Sequence, residues 1–174
     1  MLRSKSSTPT QPWVLQLLTL NYLIEGSMLP NGEVSTLLAG GPHYYESRYV
    51  TTLTNVKVQA TGNHTTQDFF APEWTVEHRG GLVGLIPRNE ACTQDMLKLT
   101  QGKKLVFRAV IYAGPYVIRA TLEQPAPTHA FETYAFMPAK DAQIDCQLPG
   151  ARLVGFRVPL MVVNRELWQG YYPE

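Results

Sequence analysis

Tyr22-Leu23-Ile24-Glu25-Gly26-Ser27-Met28 is matched by Tyr116-Val117-Ile118-Arg119-Ala120-Thr121-Leu122, ninety-four positions later. Tyr and Ile are identical, and the other apolar or small positions keep their character. Two more blocks follow in the same order. Thr54-Asn55-Val56-Lys57-Val58 matches Lys140-Asp141-Ala142-Gln143-Ile144 at an offset of eighty-six. The same offset relates Val76-Glu77-His78-Arg79, Leu82 and Ile86-Pro87 to Val162-Val163-Asn164-Arg165, Trp168 and Tyr172-Pro173. The change of offset falls in the variable stretch between the first two blocks, where insertions cost little loop-closure entropy. Three matches in one order predict two related units.

Within the blocks Val56, Val58 and Ala60 alternate with Asn55, Lys57 and Gln59, the period of a strand with one buried face. Strands are expected across residues 13–29, as a pair or one bent strand ending at the turn Pro30-Asn31-Gly32, and across 50–60, 74–77 and 81–86. More are expected across 105–122, broken at Gly114-Pro115, and across 142–147 and 153–163. Only residues 89–101 change period. There Cys92, Met96, Leu97 and Leu99 share a broad face, Asn89 suits the N-cap, Glu90 the first turn and Gly102 the stop. The expected organisation is a tail at 1–12, a β unit at 13–88, a linker helix at 89–102 and a second β unit at 103–174.

The balance of charge excludes some partners. Fifteen Lys and Arg against fourteen Asp and Glu leave a net charge of +1, too little for a global field that attracts nucleic acid or anionic lipid. Cys92 and Cys146 lack the spacing of a zinc site or a disulfide framework and are expected to be reduced and buried. Residues 1–12 lack the apolar segment of a signal peptide, and the apolar run at 13–20 is too short to span a bilayer. A cytoplasmic protein with no membrane contact is the expectation.

Each unit reads as an aromatic-led strand, a variable loop, a strand containing Asn or Asp, and a closing segment ending in Pro. That order resembles the Sm-like small β-barrel, and Glu77-His78-Arg79-Gly80-Gly81-Leu82-Val83-Gly84-Leu85-Ile86-Pro87 looks like its second motif, an Arg-Gly turn before an apolar strand. The resemblance implies a mainly β fold of two tandem Sm-like small β-barrels joined by a short α-helix. It also implies oligomers built edge to edge. Neither unit carries the family's full base pocket, since residues 40–49 lack its Asp-x-x-aromatic-Asn pattern and the second turn reads Asn164-Arg165-Glu166.

Catalysis needs a nucleophile, an acid or base, or a metal held close together. His43, His64, His78 and His129 are scattered beside turn residues and are expected in solvent-exposed loops. Asp141 and Asp145 lie four apart on an expected strand face, a common solvated arrangement. No cofactor or metal is expected. The expected role is non-catalytic binding or assembly, with copies of itself or a protein partner, through sheet edges and aromatic loops. Trp168, Tyr171 and Tyr172 are the candidate interface. The alternative is RNA or single-stranded nucleic acid, stacked on Tyr44 and Tyr45 and neutralised by Arg48 and Arg79. A small enzyme with an unrecognised site ranks third.

Overall fold

The alternating segments pair into ten strands, as seen in a computed structural model that describes residues 11–30, 50–62, 67–98, 104–125 and 136–174. In the first half these are β1 (Trp13–Thr19), β2 (Tyr22–Met28), β3 (Val50–Ala60), β4 (Phe69–Glu77) and β5 (Leu82–Pro87). The one-turn helix α1 (His78–Gly81) joins β4 to β5, and α2 (Glu90–Leu97) follows β5. The second half comprises β6 (Lys104–Ala113), β7 (Tyr116–Pro125), β8 (Phe136–Cys146), β9 (Phe156–Asn164) and β10 (Trp168–Pro173). A 3-10 turn, Arg165–Leu167, joins β9 to β10.

All ten strands form one antiparallel sheet in the order β10-β6-β7-β8-β9-β5-β1-β2-β3-β4. Each half therefore has the same internal order, fifth strand beside first and fourth strand farthest away. The mainly β expectation holds, but the sheet is open. β5 uses one edge on β1 and the other on β9, so it has no hydrogen-bonding edge left to close a ring with β4. Among the described residues β10 pairs with β6 alone.

The halves also share their irregularities. Register shifts occur between Leu18 and Thr19 where β1 meets β5, and between Trp168 and Gly170 where β10 meets β6. Asn55 and Asp141 adopt φ of 53° and 50°, the left-handed region that short polar side chains tolerate. The pairings on either side place Asn55 opposite Pro72 and Asp141 opposite Pro159. Both positions coincide with a bulge against the strand on the other side, where the register shifts between Glu25 and Ser27 of β2 and between Arg119 and Thr121 of β7.

These pairings refine the repeat. Val50 faces Glu77 and Phe136 faces Asn164, so β4 maps onto β9 at an offset of eighty-seven rather than eighty-six. Val76 then corresponds to Val163 rather than Val162. The β8–β9 connection, residues 147–155, is one residue longer than the β3–β4 connection, residues 61–68, and the corner restores eighty-six, with four residues in α1 against three in the 3-10 turn.

Two cores lie on either side of the central strands. Leu82 and Leu85 of β5 enter one, with Trp13, Leu15, Leu17, Ile24, Leu53 and Val58. Val83 and Ile86 enter the other, with Ile111, Tyr116, Ile118 and Ile144. β5 is thus buried on both faces, as its continuous apolar run requires. The helix α2 is more than a linker, because Cys92 and Met96 complete the first core. Its expected cap is present: Asn89 Oδ1 accepts from Cys92 N at 3.1 Å and from Val14 N at 3.2 Å, tying the helix start to β1.

Polar contacts fasten the halves together. The Tyr116 hydroxyl donates to Thr19 O at 2.7 Å and lies 2.8 Å from Thr61 Oγ1. Arg152 meets Asp68 at 2.6 Å, and its amide donates to Thr61 O at 2.9 Å. Asn164, fully buried at the end of β9, donates from Nδ2 to Leu82 O at 2.9 Å.

Candidate assembly interface

The C-terminal aromatic residues stand on β10, a terminal strand that the sequence reading left as a closing segment. Trp168 is half-buried on the second core, with the Arg165 guanidinium 5.9 Å over its ring and the Tyr171 ring 5.6 Å away. Tyr171 and Tyr172 are 49% and 48% exposed, and Tyr112 of β6 lies 6.3 Å from Tyr172. The end of the strand is held by Glu174 N donating to Arg108 O at 3.0 Å and by an Arg108–Glu174 ion pair at 3.4 Å. The result is an aromatic ledge along a strand that, among the described residues, pairs with β6 only.

The other end of the sheet is β4, which among the described residues pairs only with β3. Phe70 and Phe69 are exposed there, and Phe69 lies 5.5 Å from the Trp74 ring. An open recess of about 300 Å³ adjoins this strand, with Ile24, Trp74 and Val76 as its apolar walls and Glu77 as its carboxylate. Thr19, Tyr22 and Thr75 add hydroxyl-bearing residues to its lining.

Of the nucleic-acid candidates, Tyr44, Tyr45 and Arg48 lie outside the described residues, and Arg79 lies in α1. Among the histidines, His43, His64 and His129 also lie outside them. His78 departs from the expected exposed loop. It is 2% exposed, its Nε2 lies 2.5 Å from Thr51 Oγ1, and its ring meets the Phe136 ring edge-on at 6.0 Å. Burial draws its pKa down to about 4, so the ring is neutral at pH 7.

Asp68 and Asp145 are committed to structure. Asp68 accepts from Gln59 at 2.9 Å and pairs with Arg152, contacts that lower its pKa. Asp145 holds Arg119 at 3.0 Å and accepts from Gly155 N at 2.6 Å, while Asp141 is the bulge residue of β8. Cys92 and Cys146 are free and buried, and burial pushes the Cys92 thiol up to about 12. Among the described residues no group of three His, Cys, Asp or Glu could hold a metal ion, and no helix is long and apolar enough to cross a membrane.

Sequence reasoning missed Gly84 and Gly170, which occupy the same place on β5 and β10. Gly84 follows the register shift opposite Leu18, and Gly170 follows its counterpart opposite Tyr112. It also missed Phe-x-x-Pro-x-x-x-Val, present at Phe69, Pro72 and Val76 and again at Phe156, Pro159 and Val163. That signal was available at an offset of eighty-seven, one away from the offset that aligned the neighbouring blocks. Compared with known proteins, the chain matches no family model, no curated protein and no solved structure.

Proposed function

We propose that this protein is a non-catalytic assembly module whose five-stranded halves are Sm-like units and which joins copies of itself through its free sheet edges. The observation that carries this reading is the pairing of β5 with β9, where the outer strand of one half extends the sheet of the other. Among the described residues each terminal strand pairs with one other strand, and exposed aromatic residues stand on both, Phe69 and Phe70 on β4 and Tyr171 and Tyr172 on β10. Asp68, Asp145, the two cysteines and His78 are engaged in packing and internal bonds, which fits a role in binding.

Light scattering over a range of concentrations tests the reading. A mass that rises above that of one 19.5 kDa chain supports it. A constant single-chain mass, together with RNA binding that weakens steeply with salt, would replace it with the nucleic-acid alternative.

A further inference from the structure

We infer that the open recess beside β4 is a docking site for the guanidinium group of an arginine side chain on a protein partner, with Trp74 as its stacking surface and Glu77 as its counter-charge. The site goes beyond self-association and does not depend on how sheet edges meet. The recess holds about 300 Å³, and its lining brings together an indole, a phenol and a carboxylate, those of Trp74, Tyr22 and Glu77. Leu20 N donates to Gly81 O at 3.1 Å, which ties the β1–β2 turn to the corner and so brings Tyr22 to the far end of β4. Trp74 is half-buried, with the Phe69 ring 5.5 Å from its own, while Tyr22 and Glu77 are exposed.

A cation is attracted by the face of an aromatic ring, most strongly by indole, and by a carboxylate. Guanidinium suits both at once: its plane stacks on a ring while two of its N–H groups meet the two oxygens of one carboxylate. An ammonium group has three donors to satisfy, and two hydroxyls of the lining are already engaged. Thr19 Oγ1 donates to Tyr22 O and accepts from Tyr22 N, both at 3.0 Å, and Thr75 Oγ1 lies 2.8 Å from Thr52 Oγ1. An open recess of this size receives one side chain rather than enclosing a whole small molecule. That selects a partner which presents the arginine on its surface.

The second half shows what this part of the fold needs for packing alone. Trp74, Thr75, Val76 and Glu77 correspond to Met161, Val162, Val163 and Asn164 at the offset of eighty-seven, and Thr19 corresponds to Ala113 at ninety-four. All five counterparts are 0% exposed. Asn164 uses its amide on the Leu82 carbonyl, a bond within the chain. Where the second half buries a thioether and an amide, the first half presents an indole and a carboxylate at an open recess. Packing asks for neither group at these positions, and together they select a cation.

Titration of the full chain with three capped tripeptides tests this, each with glycine at both ends and arginine, lysine or citrulline between them. Binding is read from the backbone amide signals of Gly81 and Thr75 in proton–nitrogen correlation spectra. The arginine peptide should shift both signals saturably, the lysine peptide should bind more weakly, and the uncharged citrulline peptide should not bind. Glu77→Gln should weaken the arginine peptide about tenfold, the scale of a hydrogen bond to a charged group. Trp74→Leu should weaken it about fivefold. Glu73→Gln, which removes an exposed carboxylate of the same strand outside the lining, should leave it unchanged. No shift with the arginine peptide, equal binding of the lysine peptide, or equal weakening by Glu73→Gln and Glu77→Gln would each overturn the proposal. Glu77 is exposed and its replacement keeps the fold, so Glu77→Gln decides alone if Trp74→Leu lowers the thermal midpoint.

Discussion

Gly84 and Gly170 stand at the same point of one strand order in surroundings that could hardly differ more. The first is wedged against Val162 O and Met161 Cε, and the second borders open space. The strands that carry them differ in the same way. β5 is paired on both edges and buried on both faces, while β10 has one partner strand among the described residues and exposes most of its length. What separates them is a neighbouring strand. The residues of β5 show what such a neighbour demands, and β10 keeps the most restrictive of those demands without having one.

The contrast can be broken at the buried end first. Leu85→Ala removes a side chain that is 0% exposed, between Leu17 and Val162. It should cost about 4 kcal/mol by urea unfolding, the range for a cavity in a well-packed core. A change below about 1 kcal/mol would mean that the central strands are not the shared core.

Acid should separate the two corners between fourth and fifth strands. The first buries His78 and the second buries Asn164, which does not titrate. The pKa of His78 is about 4 in the folded chain against an ordinary 6.5. Below pH 6.5 the unfolded chain therefore takes up a proton that the folded chain refuses. Stability is full above that pH and declines as pH falls toward 4, by about 3 kcal/mol. The urea midpoint followed over this interval should fall in the parent. In His78→Gln that component of the fall should be absent.

The glycine pair gives the sharpest test and the smaller effects. Gly84→Val must push backbone aside and should cost about 2 kcal/mol. Gly170→Val should stay within about 0.5 kcal/mol in the dilute, single-chain state, since strand propensity favours the branched side chain. Equal costs at both positions would show that the two surroundings are not as different as the packing indicates.

Much of the fold was legible in local residues. The alternation at 50–60 became β3 with the same bounds, Gly114-Pro115 became the β6–β7 turn, and Asn89 became the cap of α2. The site was less legible. Trp168, Tyr171 and Tyr172 were identifiable as aromatic surface, but β10 was not read as an edge strand, because an edge is defined by an absent neighbour. His78 was misplaced for a related reason: a histidine flanked by Arg79 and Gly80 looks exposed until Thr51 and Phe136 arrive from distant strands.

By itself the sequence determined that strands of a fixed period recur in two similar sets, since alternation, turn residues and caps act over a few neighbouring positions. Only the tertiary structure decided that the sets merge into one open sheet. That outcome depends on which edge meets which, through hydrogen bonds between backbone groups that every strand carries alike. It is also why the glycine shared by β5 and β10 becomes informative only once one of them has a neighbour.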